Sequence, residues 1–149
     1  MTKPIAILFA VTLLFAGAVH AQPAAAADAV ADPFAAVAAA TDSATRWLAL
    51  ADAGKWAETW DGLAPVTQGA VTKAAWTGGL TPVRAPLGAV TSRTLQAAKF
   101  TNSIPGAPAG DYVLIQYATD FANKPGSVET VVPMRLPDGN WKVSGYFIK

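Results

Sequence analysis

The sequence predicts an α+β fold, two to three N-terminal helices packed on one face of a curved four-stranded antiparallel sheet. Three observations predict it. Apolar residues recur at helical spacing as far as Leu87, and beyond Gly88 the period changes to two, with turn residues between the runs. The chain has no cysteine, yet 52% of its residues are hydrophobic and five are tryptophan, so packing rather than disulfides must hold the core.

The first segment is predicted to lie outside that domain. Lys3 is followed by an uninterrupted apolar run from Ile5 to Ala18 and then by Val19-His20-Ala21, the layout of a secretory signal peptide over residues 1–21. The run is shorter than the roughly 20 residues a spanning helix needs, so no transmembrane anchor is expected in the mature chain. The expected location is periplasmic or extracellular. Residues 22–31, QPAAAADAVA, read as an alanine-rich linker, and residues 32–149 as a single domain.

Asp32 and Pro33 form a helix start, a capping side chain followed by proline at the first helical position. Phe34, Val37, Thr41, Ala44, Leu48 and Ala51 then make one apolar stripe, which Gly54 ends. Trp56, Trp60 and Leu63 form a second, shorter stripe, and Pro65 is expected to stop it. Trp76, Leu80, Val83 and Leu87 form a third. Gly78, Gly79 and Pro82 interrupt its pattern, and a kink or two pieces is expected there. Core packing is the expected duty of the helical tryptophans.

Strands are expected at about 89–101, 111–121, 127–136 and 140–148. The segment NSIPGAPAGD, Asn123–Gly126 and Pro137–Asn140 serve as connections. Pairing outward from those turns sets Phe121 opposite Val128, Tyr117 opposite Val132, Leu136 opposite Trp141 and Met134 opposite Val143. The core face then collects Val113, Ile115, Tyr117, Phe121, Val128, Val132, Met134, Trp141, Val143 and Phe147. Pro133 cannot donate to a ladder and implies a bulge, beyond which the register is open by one residue. The opposite face is expected to expose an apolar strip of Leu114, Val131, Tyr146 and Ile148, a candidate interaction face and a possible homodimer contact.

The only histidine, His20, falls in the leader. Without it neither a Ser-His-Asp or Cys-His arrangement nor a zinc site built on His or Cys can form in the mature chain. No metal site and no cofactor are expected. No S-x-x-K occurs, and neither of the glycine-rich phosphate patterns is present. One of the 11 Lys and Arg residues, Lys3, is in the leader, so ten basic groups face ten acidic ones in the remainder and no nucleic-acid partner is implied. Two constellations remain. Asp120 and Glu129 fall opposite each other in this register, where one carboxyl of a close pair can be held protonated for acid/base work. The plainer alternative is a solvated pair at a sheet end. Arg84 and Arg93 flank APLG and are candidates for an anion clamp, the alternative being that one of them ties the helix-to-strand junction to an acid such as Glu129.

The segments WLALADAGKWAETWD (47–61), RAPLGAVTSRTL (84–95), SIPGAPAGDYVLIQYATDFANK (103–124), and ETVVPM with GNWKVSGYFIK (129–134 and 139–149) resemble the bacterial secreted family known as domain of unknown function 4019. The R-x-P-L-G-x-x-x-S-R run from Arg84 to Arg93 and the terminal G-Y-F-I-K carry most of that likeness. The resemblance implies no assigned activity. By analogy of architecture it implies a cystatin-like or nuclear-transport-factor-two-like cone. Three functional classes follow for an unknown small molecule or protein partner: an exported, non-catalytic binding or interaction domain, a cofactor-independent enzyme of ketosteroid-isomerase-like type, and a structural homodimer.

Overall fold

The computed structural model describes residues 32–149, so the predicted leader and linker lie outside the described residues. Helix α1 spans Pro33–Asp52. The Asp32 carboxylate accepts from Phe34 N at 2.8 Å, and Gly54, at φ +70°, lets the chain reverse just beyond the last turn. The buried residues of α1 are Ala36, Ala40, Ala44, Trp47, Leu48 and Ala51, while Phe34 is exposed. The core face is therefore rotated from the expected stripe in its first turns. Alanine every fourth residue lets the helix axis approach the sheet closely.

Helix α2 is Trp56–Asp61, α3 is Pro65–Ala70 and α4 is Lys73–Arg84, followed by a 3-10 turn at Ala85–Leu87. Two expectations are corrected here. Pro65 does not simply stop a helix; it occupies the first position of α3, where its missing N–H costs nothing. Helix α4 runs through Gly78, Gly79 and Pro82 as one element rather than two pieces.

The strands β1 (Val90–Thr101), β2 (Tyr112–Phe121), β3 (Lys124–Arg135) and β4 (Trp141–Ile148) form an antiparallel meander in the order β1-β2-β3-β4. Helix α1 lies across all four strands, and its buried residues join Val113, Ile115, Tyr117, Val131, Trp141 and Val143 in one core. The fold is thus α+β with helices packed on one sheet face, as the sequence predicts.

The register differs from the expected one, and the hairpins show why. Between β2 and β3 the turn is only Ala122-Asn123, with Phe121 opposite Lys124, so Lys124, Pro125 and Gly126 belong to the strand. That turn displaces the register by four residues at Phe121, and a bulge between Thr119 and Phe121 takes one back, so Tyr117 pairs with Glu129 and Ile115 with Val131, three residues from the expected partners. An odd displacement turns every β3 side chain to the other face. Glu129 and Val131 therefore point inward, both with no exposed surface, and Val128 points out. Between β3 and β4 the loop is Pro137–Gly139, closed by Leu136 N to Asn140 O at 2.7 Å, which sets Arg135 opposite Trp141 and Pro133 opposite Val143. The predicted bulge is present, between Val132 and Pro133. Past it Val131 pairs with Tyr146 and Glu129 with Ile148, and Phe147 faces solvent.

Candidate functional site

These inward-turned residues build a charged cluster beneath the end of α1. Asp52 comes from the last turn of α1, Arg84 from the last turn of α4, Arg93 from β1, Glu129 from β3 and Tyr146 from β4. Arg93 places Nε 2.7 Å and Nη2 3.2 Å from the Glu129 carboxylate, and Nη1 2.7 Å and Nη2 2.9 Å from Asp52. Arg84 Nη2 donates to Asp52 at 2.8 Å and Nη1 to the Gly88 carbonyl at 2.8 Å, with the guanidinium carbon 4.4 Å from the centre of the Phe121 ring. Thr119 Oγ1 and the Tyr146 hydroxyl donate to Glu129 at 2.6 and 2.5 Å.

Two guanidinium cations and two carboxylates balance. Burial alone pushes the Asp52 carboxyl up, but hydrogen bonds and charge from Arg93 and Arg84 outweigh it and hold the group below the ordinary carboxylate range. Burial lowers the Arg93 pKa, and its two carboxylate partners raise it further than burial depresses it. The Tyr146 phenol is driven far up, first by burial and then by the Glu129 charge beside it.

The sequence-predicted site residues are redistributed by this geometry. Asp120 and Glu129 do not form a pair. Asp120 lies at the sheet surface, where Gly126 N donates to it at 2.7 Å and Ser92 Oγ at 3.0 Å, and these bonds hold its carboxyl below the usual range. Glu129 accepts two bonds on each oxygen, which fills the acceptor capacity of a carboxylate. Arg84 and Arg93 do not form an open anion clamp, because both forks are occupied by carboxylates from the same chain. The alternative reading, Arg93 tying the start of the sheet to Glu129, is the observed arrangement. The expected outer strip is corrected as well: Leu114 remains on the outer side, whereas Val131 is buried, Tyr146 packs 5.0 Å from the Trp47 ring, and Ile148 faces α4.

Tyr146 links the cluster to a second feature. Its ring and Ile148 form one wall of an apolar cleft of about 260 Å³, whose other wall is Trp76, Gly79, Leu80 and Val83 of α4, with Val71 and Ala75 at one end. The Trp76 ring stands edge-on to Trp47 at 6.3 Å and its indole N–H donates to Thr59 Oγ1 at 3.0 Å, so this wall is fixed from behind. Gly78 and Gly79 have no neighbour within 4 Å of where a Cβ would stand. Nothing in the described residues requires glycine there, and each costs an α-helix about 1 kcal/mol relative to alanine. What Gly79 provides is room in the cleft.

Sequence reasoning missed this cleft and Asp52. The available signal was the Gly78-Gly79 pair inside an amphipathic helix, read as a break when it is a gap in a wall. Among the described residues no group of three or more His, Cys, Asp or Glu side chains is arranged to hold a metal ion, and no helix is long and apolar enough to cross a membrane.

Fold and site together define a small α+β domain in which a charge-balanced, partly buried ion cluster braces an apolar cleft at the sheet edge. The chain belongs to the family described as "Protein of unknown function (DUF4019)", whose model matches residues 43–146. No curated protein and no solved structure matches the chain.

Proposed function

We propose that the chain is exported and that its folded domain is a non-catalytic binding module which takes an uncharged apolar group in the cleft between α4 and β4. The observation that carries this reading is the cleft itself, apolar on both walls, free of charged side chains and kept open by a glycine that packing within the domain does not require. Ligand sites are typically concave and mostly apolar, and the volume here suits one ring or one branched side chain rather than a large cofactor. The full hydrogen-bond complement of Glu129, the buried carboxylate nearest the cleft among the described residues, favours a structural over a catalytic duty for it. Export rests on the leader pattern of residues 1–21, and a mature protein beginning at Gln22 is its expected product.

Benzyl alcohol serves as the test ligand. Titrated into the mature protein, it is expected to shift the amide signals of Gly79, Leu80 and Ile148 and the Trp76 indole signal saturably. Gly79→Leu, which fills the cleft, should abolish those shifts. Shifts that persist in the filled variant, or none in the wild type, overturn the reading.

A further inference from the structure

The cleft borders a stretch of sheet edge that the described residues leave open. Along the first half of β4 the outward carbonyls are covered: Trp141 O accepts from Ser43 Oγ at 2.7 Å, Val143 O from Ala64 N at 2.8 Å and Ser144 O from Thr67 Oγ1 at 2.9 Å. Past the bulge no other described element covers the strand. Val128 and Lys149 exchange both of their backbone bonds at 3.0 Å, and the ladder alternates from there. Phe147 and Gly145 therefore point their N–H and C=O groups at β3, while those of Ile148 and Tyr146 point away from it, toward the free edge. Tyr146 and Ile148 are also the two strand residues whose side chains line the cleft. Two sets of outward backbone donors and acceptors, roughly 7 Å apart at strand spacing, thus stand beside one apolar pocket. The opposite edge of the sheet is different, because register shifts at Val90/Ser92 and Leu95/Ala97 break β1 into short lengths.

We infer that β4 accepts an extended peptide of a partner protein as a fifth strand, hydrogen-bonded to Tyr146 and Ile148, with one uncharged apolar side chain of that peptide seated in the cleft. This is strand addition, in which the main chain supplies affinity and a pocket for one side chain supplies selectivity. The cleft has no charged group to pair with a charged side chain, so the seated residue is aliphatic or aromatic. The inference rests on the cleft being a binding site and names what binds there.

The test uses the mature protein and a capped seven-residue peptide of alternating threonine and valine with a central leucine. A second peptide carries aspartate for the leucine, and a third keeps the leucine but is N-methylated at the two amides flanking it. The first peptide is expected to bind saturably and to slow hydrogen exchange at the Tyr146 and Ile148 amides at least tenfold. The other two are expected to lose at least tenfold in affinity. Binding of benzyl alcohol without binding of any peptide leaves the cleft reading standing and overturns strand addition. Failure of both overturns both. Equal binding of the N-methylated peptide shows side-chain capture alone and also overturns it, as does concentration-dependent protection of the two amides in the protein by itself, which means that β4 pairs with a second copy.

Discussion

Replacing Glu129 with alanine tests the ion cluster most sharply. Glu129 has no exposed surface and accepts four bonds, two from Arg93 and one each from Thr119 and Tyr146. Removing it leaves the buried half of the Arg93 fork facing two hydroxyls and a void, and breaking a buried pair from one side costs about 3–5 kcal/mol. The surface pair Lys73–Asp61 is a built-in comparison: its contact is equally short at 2.7 Å, but the side chains are 44% and 53% exposed, so Asp61→Ala should cost under about 1 kcal/mol. Urea unfolding followed by circular dichroism measures both, and a domain of this size should lose roughly 10–20 °C in Tm for the Glu129 change. Glu129→Gln keeps the shape and one carbonyl and should fall between wild type and alanine, giving a reading even where alanine does not fold. Glu129→Ala costing no more than Asp61→Ala would refute the structural role of the cluster.

Two further outcomes are expected. All three tyrosines of the chain, Tyr112, Tyr117 and Tyr146, have pKa values raised above 10, each chiefly by burial. The phenolate is therefore disfavoured in the folded state, so their contribution to stability is complete below pH 10 and is lost as the pH rises above it. Absorbance near 295 nm should show no phenolate step around pH 10 while the fold persists, and a reversible step there in the native protein would contradict the burial. Gly78→Ala should raise stability by about 0.5–1 kcal/mol, because α4 gains helix propensity and the new methyl meets no atom within 4 Å; Gly88→Ala should lower it, since φ is +77° and a Cβ would stand 3.0 Å from Asn123 Nδ2, and thermal melts of the two variants shifting in the same direction would be the adverse result.

The elements were legible because each carries a local cause. Asp32-Pro33 starts α1, Gly54 closes it, and the change to period two after Gly88 marks the sheet. The bulge at Pro133 was legible for the same reason, a missing N–H. The faces of β3 were not, because they depend on where the chain turns and on a bulge between Thr119 and Phe121 that no residue pattern marks. Asn123-Lys124-Pro125-Gly126 has four turn-forming residues in a row, and the chain instead centres its turn two residues earlier, at Ala122-Asn123, where Asn123 Nδ2 donates to Pro86 O at 2.9 Å and Asp120 accepts from Gly126 N. That turn alone shifts the register by four residues, which keeps the faces; the bulge between Thr119 and Phe121 makes the shift three, and this odd displacement turns Glu129 from a surface acid into the centre of the cluster. Arg93 reaching Glu129 was foreseeable as a type of contact. Asp52 and the cleft were not, since the first needs the end of α1 placed over β1 and the second needs α4 placed beside β4, and no spacing in the sequence specifies either.

The most direct test of the central claim is a measurement of intermolecular nuclear Overhauser effects between benzyl alcohol and the methyl-labelled protein. The benzyl ring protons are expected to contact the methyl groups of Leu80, Val83 and Ile148, with no contacts in Gly79→Leu. Contacts confined to Leu95, Val128 or Val66 on the solvent side of the molecule, or contacts that survive in the filled variant, would contradict a ligand site between α4 and β4.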